Sequence, residues 1–325
     1  SRGLGDVYKR QSLLDHLGAG REWDLVRKNG GLNIVPPFAQ KQLKVFEGRI
    51  EALESLRGYL LKQPQKYVIM TDANIAINFD FNELLDAHIK SGADVTMMYR
   101  KQEIPKAFIR QSRDRMDLYY ALGMNGDRVS KIYINPTEEG EMNFSMNVYV
   151  VEREFLIRMI DDAYVHGHTY FVRDLLDKQI DRLDIRGFCY DGYVVNIHDT
   201  QSYFEENMRL LQEENLNALF SPNQIYTKIR DDNPTRYING SKAKNVMVAD
   251  GCVIEGEVEN SVLFRGVHVG KGAKVKNCVL MQDTVVEDNA SVEYVITDKN
   301  VRVTEGKSLT GNESYQVYVS KGQVV

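Results

Sequence analysis

The chain has 325 residues, 43% of them hydrophobic and 27% charged, with a formal net charge of −5. That length suits two domains of ordinary size, and the acidic balance excludes a global attraction to nucleic acid or to an anionic membrane surface. Cys189, Cys252 and Cys278 are too few and too scattered for a disulfide framework or a structural zinc site, and no apolar run approaches the ~20 residues that span a bilayer. The expectation is a cytoplasmic protein.

Residues 1–11 carry no periodicity and are set apart as a non-native or disordered leader. From Leu43 to Leu61, the side chains Ile50, Leu53, Leu56 and Leu60 recur at helical spacing. Tyr67–Met70 reads as a buried strand, followed by the polar turn Thr71-Asp72-Ala73-Asn74. Phe81–Lys90 reads as a helix closed by Gly92, and Asp94–Tyr99 as a second strand. Strand, helix and strand in this order predict a βαβ unit in a parallel sheet.

Further along, Asn147–Val151 reads as a strand and Arg153–Asp162 as a helix. Val172, Leu175, Leu176, Ile180 and Leu183 form the apolar face of a longer helix. Gly187–Tyr190 and Gly192–Ile197 read as strands, and Phe204, Met208 and Leu211 mark a last helix. Each of these stripes is ordinary core packing. They define an α/β domain over 12–214, followed by a linker over 215–238.

After the linker the grammar changes to short β-branched runs punctuated by Gly, Asn and Asp. Asn260–Lys276 repeats as Asn277–Glu293, so that Leu263 matches Leu280, Val269 matches Val286 and Val275 matches Val292. A weaker copy begins at Tyr294, and Asn245–Glu259 is a copy two residues shorter. Within copies, Leu263, Val269 and Val275 step by six. That step suits a three-sided parallel β-helix over 239–325, in which stacked coils bury what one coil cannot. His268, between Val267 and Val269, is then expected to face outward, which disfavours a coil histidine acting as an acyltransferase base.

An α/β domain joined to a hexapeptide β-helix resembles the bacterial ADP-glucose pyrophosphorylases. REWDL at Arg21–Leu25, YVIMTDANIAINFDF from Tyr67, SMNVYV at Ser145–Val150, GYVVNIHDTQSYFEENMRLL at Gly192–Leu211 and the repeat carry the likeness. It is closer to the GlgD type, the second subunit of a two-subunit enzyme. The resemblance implies a nucleotidyltransferase (Rossmann-like, mostly parallel) domain and a left-handed parallel β-helix. It also implies a role in glycogen synthesis and assembly with a catalytic subunit into a heterotetramer. The family's first strand and Gly-rich phosphate loop have no counterpart here, so an N-terminally truncated sequence is expected.

The resemblance also locates a degenerate site. The family's two Mg²⁺-binding aspartates fall on Asn74 and Asn196, with Asp72 and Asp199 as possible substitutes. The bland readings, a turn carboxylate for Asp72 and a helix N-cap for Asp199, are preferred. The family's sugar-phosphate lysine falls on Asn135. Ser145 and Met146 keep the family residues, whereas Asn147 replaces a glycine. Mg²⁺ is held by anionic oxygens and neutralises phosphate charge during transfer. Amides at both positions therefore predict a chain that binds no metal of its own, Mg²⁺ being left to the holoenzyme. The resemblance leaves a remnant pocket around Ser145 for a sugar phosphate or nucleotide. The alternative is an active glucose-1-phosphate adenylyltransferase or another sugar-phosphate nucleotidyltransferase.

Overall fold

The computed structural model describes residues 13–27, 30–35, 48–104, 118–138, 140–227 and 231–325. The leader 1–11, and the part of the first predicted helix before residue 48, lie outside the described residues. Contacts divide the chain into two compact units. One comprises Ser1–Ala73, Phe79–Asp191 and Tyr226–Lys228, and the other Asn74–Asn78, Gly192–Ile225 and Ile229–Val325.

The first unit is built on a six-stranded sheet. Its spatial order is Tyr67–Met70, Glu141–Glu152, Val95–Glu103, Ile185–Cys189, Arg128–Ile134 and Tyr120–Asn125. The two strands of the predicted βαβ unit do run the same way, but the Glu141–Glu152 strand lies antiparallel between them. The expected mostly parallel sheet thus holds for direction, since four of the six strands share one sense. It does not hold for neighbours, because only Val95–Tyr99 and Ile185–Cys189 pair in parallel. The reason is the long Glu141–Glu152 strand, which gives Tyr67–Met70 and Val95–Glu103 a hydrogen-bonding partner each.

Alternation along the strands assigns the faces. Val95, Met97, Tyr149 and Val151 pack with Ile50, Leu53, Leu156 and Ile160 from helices Arg49–Leu60 and Arg153–Val165. On the other face Thr96 meets His88 of helix Phe81–Ser91 at 2.8 Å. That helix ends as expected, on Gly92 with φ 67°. The longer helix expected over Val172–Leu183 is broken instead. A π-helical turn at Phe171–Leu176 passes into a 3-10 turn at Asp177–Gln179. At the entry to this turn the Asp174 carboxylate accepts the Thr169 and Tyr170 N–H groups at 3.1 and 2.9 Å. Its apolar side chains, Val172, Leu175, Leu176 and Leu183, are buried all the same.

The second unit contains the parallel β-helix. Its coils stack in the predicted register: Val275 pairs with Val258 on one side and Val292 on the other, and Val286 lies between Val269 and Val303. The shorter copy is accommodated by direct pairing of Val246–Val248 with Ser261–Leu263. The last coil is longer, since Val295 pairs with Val317. Ile254, Val269, Val286, Val303, Val258, Val275, Val292, Leu263 and Leu280 fill the interior. One set of corners falls on Asn245, Asn260, Asn277 and Tyr294, all left-handed, with φ between 46° and 52°. Asparagine tolerates that conformation better than most residues, which explains its recurrence at the head of the first three copies. Helix Thr200–Arg209 packs Phe204 against Val262, Val279 and Ile296 on an outer face of the coils.

Candidate functional site

Asn74 and Asn196, the two positions singled out by the resemblance, lie on one short ladder in the second unit. Ile75–Ala76 and Val195–Asn196 form a short antiparallel ladder with Ile75 opposite Asn196. Asn74 extends it, its carbonyl accepting the Ile197 N–H at 2.8 Å. The side chain of Asn74 is directed at His198, and its amide N–H donates to Nδ1 at 2.9 Å. Sequence spacing gave no reason to select His198, because its partner lies more than a hundred residues upstream.

Asp199 is committed to backbone. Its carboxylate accepts the Ser202 N–H at 2.7 Å, while Ser202 Oγ accepts from Asp199 N at 2.9 Å and from His198 N at 3.0 Å. This reciprocal capping box starts helix Thr200–Arg209, as the N-cap reading expects. On the helix itself, Glu206 accepts from the Asn196 N–H at 3.5 Å and pairs with Arg209 at 2.8 Å. Asn74 and Asn196 themselves bring carboxamides, with the His198 imidazole at the Asn74 side chain and the Glu206 carboxylate at the Asn196 backbone. Mg²⁺ takes oxygen ligands and is usually anchored by one or two carboxylates. The side chains of Asn74 and Asn196 do not supply such a carboxylate anchor.

The first unit holds the other candidate residues, and one of them, Asp72, lines a cleft of about 430 Å³. Its walls include Gly48, Arg49, Asp72, Tyr120, Asn147 and Tyr149. Asp72, in the turn after strand Tyr67–Met70, forms an ion pair with Arg49. The guanidinium also lies over the Tyr149 ring, 5.0 Å from its centroid. Gly48 is required where the chain enters: a Cβ there would sit 2.3 Å from the Thr169 carbonyl oxygen.

Asn147 has φ 56°, a left-handed conformation that asparagine tolerates better than most residues. Its carboxamide oxygen accepts from the Tyr149 hydroxyl at 2.8 Å, and its N–H donates to Ser145 Oγ at 3.3 Å. Burial pushes the Tyr149 phenol up to about 12, against the opposing pull of Arg49. Tyr149 is thus a neutral hydrogen-bond donor throughout the physiological range. Ser145 and Met146 are buried in the same strand. Asn135 has a backbone role, accepting the Tyr119 N–H on its carboxamide oxygen at 2.9 Å while its own N–H donates to the Tyr119 carbonyl.

Residues 229–319 match the family described as GlmU-like, C-terminal hexapeptide. Over 321 residues the chain is 31% identical to the glycogen biosynthesis protein GlgD of Bacillus subtilis, covering 98% of this chain and 80% of that protein. It is 34% identical to GlgD of Geobacillus stearothermophilus, covering 82% of this chain and 66% of the relative. Glucose-1-phosphate adenylyltransferase of the same organism is 31% identical over 84% of this chain and 70% of its own length. The chain belongs to the GlgD-type branch of the glucose-1-phosphate adenylyltransferase family.

Proposed function

We propose that this chain is a regulatory, non-catalytic subunit of a glucose-1-phosphate adenylyltransferase acting in glycogen synthesis, assembled with a catalytic subunit into a heterotetramer. The observation that supports it is the carboxamide pair, Asn74 and Asn196, on the Ile75–Asn196 ladder. Adenylyl transfer from ATP to glucose 1-phosphate relies on a cation to neutralise phosphate charge and align the displacement. A carboxylate at 4 Å from a unit charge contributes about 4 kcal/mol at an effective dielectric of ~20, and more toward a divalent ion. Exchanging two carboxylates for amides removes that attraction. The nearby carboxylates have other partners, since Asp199 caps a helix, Asp72 pairs with Arg49 and Glu206 pairs with Arg209. In this reading Mg²⁺ serves the holoenzyme through its catalytic subunits, and the cleft beside Ser145 retains a sugar-phosphate or nucleotide site.

The experiment is direct. The purified chain supplied with ATP, Mg²⁺ and glucose 1-phosphate releases almost no pyrophosphate, and it raises or retunes the turnover of a co-expressed catalytic subunit. Asn74→Asp with Asn196→Asp tightens Mg²⁺ binding. Turnover by the isolated chain at the rate of its catalytic relatives would overturn the proposal.

A further inference from the structure

A second cleft of the first unit, of about 380 Å³, opens at the opposite end of strand Tyr67–Met70 from Asp72. Three elements converge on it: the start of that strand at Lys66 and Tyr67, the end of helix Phe81–Ser91 at His88 and Ile89, and helix Arg153–Val165 with Phe155 and Arg158. A cleft of that volume holds a small organic molecule.

Its carboxylates already have partners. Asp94 Oδ2 accepts the Asp184 N–H at 2.9 Å, and Glu152 lies 3.9 Å from the Lys66 ammonium. Two other groups are unmet. His88 is 2% exposed, and its Nδ1 sits 2.8 Å from Thr96 Oγ1. Its Nε2 makes no hydrogen bond among the described residues, yet it is not sealed from solvent, so it opens on the cleft that His88 lines. A polar atom of a buried side chain ordinarily finds a partner. Arg158 likewise has no hydrogen bond or ion pair among the described residues. Its guanidinium is held over the Phe155 ring, 5.6 Å from the centroid.

These two groups define what would fit. Desolvation holds His88 below the ordinary histidine range, against weaker pulls from Glu152 and Asp94, so the imidazole is neutral at neutral pH. A neutral imidazole that accepts the Thr96 hydroxyl on Nδ1 carries its proton on Nε2 and offers it as a donor. An unmet guanidinium and an unmet N–H both call for acceptor oxygens, and the charged donor favours oxygens that carry negative charge. Ile89, 49% exposed, and Phe155 supply an apolar wall.

We infer that this cleft binds a small organic anion with an apolar body, its carboxylate or phosphate oxygens on Arg158 and on the Nε2–H of His88. Lys66 and Arg158 are balanced by Asp94 and Glu152, so selectivity comes from the two directed donors and not from net charge. The site is separate from the Asp72 cleft, and it stands whether or not the chain is catalytic.

NMR of the full chain at low ionic strength tests it, following the imidazole signals of His88, which are identified by their loss in His88→Gln. Benzoate, phenyl phosphate, benzamide and benzylamine are the probes, because they share a ring and differ in the polar group. Benzoate or phenyl phosphate should shift the His88 signals saturably, and whichever anion binds more tightly decides between a carboxylate and a phosphate ligand. Benzamide should bind at least about fivefold more weakly than that anion, and benzylamine should leave the signals in place. Arg158→Gln, which removes the charge from an exposed side chain, should weaken the anion by about fivefold to tenfold. The nitrogen shifts of unliganded His88 should report a proton on Nε2.

Anions that leave the His88 signals unmoved, or that bind equally to the parent and to Arg158→Gln, would overturn the inference. So would benzamide binding as tightly as benzoate and phenyl phosphate, or an unliganded His88 protonated on Nδ1 alone.

Discussion

At the residue scale, the positions that were legible in the sequence are those whose role is local. Asp199 precedes a helix and caps it, and Asn260 and Asn277 head their repeats because each adopts a left-handed corner. Positions whose partner is distant in sequence were not legible. Asp72 reads as a turn carboxylate until Arg49 is placed beside it, and His198 acquires meaning only against Asn74.

His88 belongs to the second kind, and it gives a prediction. It lies on the inner face of helix Phe81–Ser91, bonded to Thr96 at 2.8 Å and edge-on to Tyr67. Desolvation lowers its pKa below the ordinary histidine value, against weaker opposing pulls from Glu152 and Asp94. The unfolded chain takes up a proton at this position as pH falls through about 6.5, while the folded chain does not until lower pH. Stability contributed by neutral His88 is therefore present above that pH and declines below it. Urea unfolding between about pH 7.5 and 5.5 should show a steeper loss for the parent than for His88→Gln. Parallel slopes would refute the assignment.

At the scale of elements, legibility depended on whether a pattern repeats. Each β-helix coil restates the previous one, so register could be read from matching aliphatic positions, and the pairing of Val275 with Val258 and Val292 follows that reading. The sheet of the first unit has no such redundancy. The insertion of Glu141–Glu152 between two same-sense strands is a tertiary choice that local periodicity does not encode. A local signal does mark one hairpin: Gly126-Asp127 joins the paired strands Tyr120–Asn125 and Arg128–Ile134, and Gly126 has φ 63°.

Helix Thr200–Arg209 shows how an amphipathic stripe identifies a helix but not what it covers. Phe204, 4% exposed, seats on Val262, Val279 and Ile296, with Tyr294 alongside at 6.1 Å between ring centroids. Tyr294 occupies a left-handed corner given to asparagine in earlier coils, at φ 52°. Its contact with Phe204 offsets backbone strain of about 1–2 kcal/mol. Phe204→Ala removes this support and leaves a void, so it should destabilise the unit by about 3 kcal/mol or more. The measurement is a denaturant midpoint followed in the β-helix. A cost below about 1 kcal/mol would mean that the helix is a passive neighbour.

At the scale of the whole molecule, a break in sequence grammar and a boundary between packed units answer different questions. Helical periodicity ends near Leu211, and the coils become regular after Asn239, which suggests a linker between them. Contacts, however, group Gly192–Ile225 with the coils, together with Asn74–Asn78. The physical reason is the outer face of the solenoid, where Met247, Val262, Phe264, Val279, Tyr294 and Ile296 form an apolar stripe covered by Tyr203, Phe204, Met208 and Leu211. A β-helix cut at the change of grammar would present that stripe to water, and contiguous apolar surface of this kind drives association. Residues 192–325 expressed alone should therefore be monomeric and melt cooperatively, whereas residues 231–325 should bind a hydrophobic dye and self-associate. Sedimentation and dye fluorescence separate the two outcomes. If the shorter piece proved equally soluble and equally stable, the helix would be an appendage. If it does not, the ladder bearing Asn74 and Asn196 is carried by the same folded unit as the coils, and what engages the solenoid acts on the unit that presents those two amides.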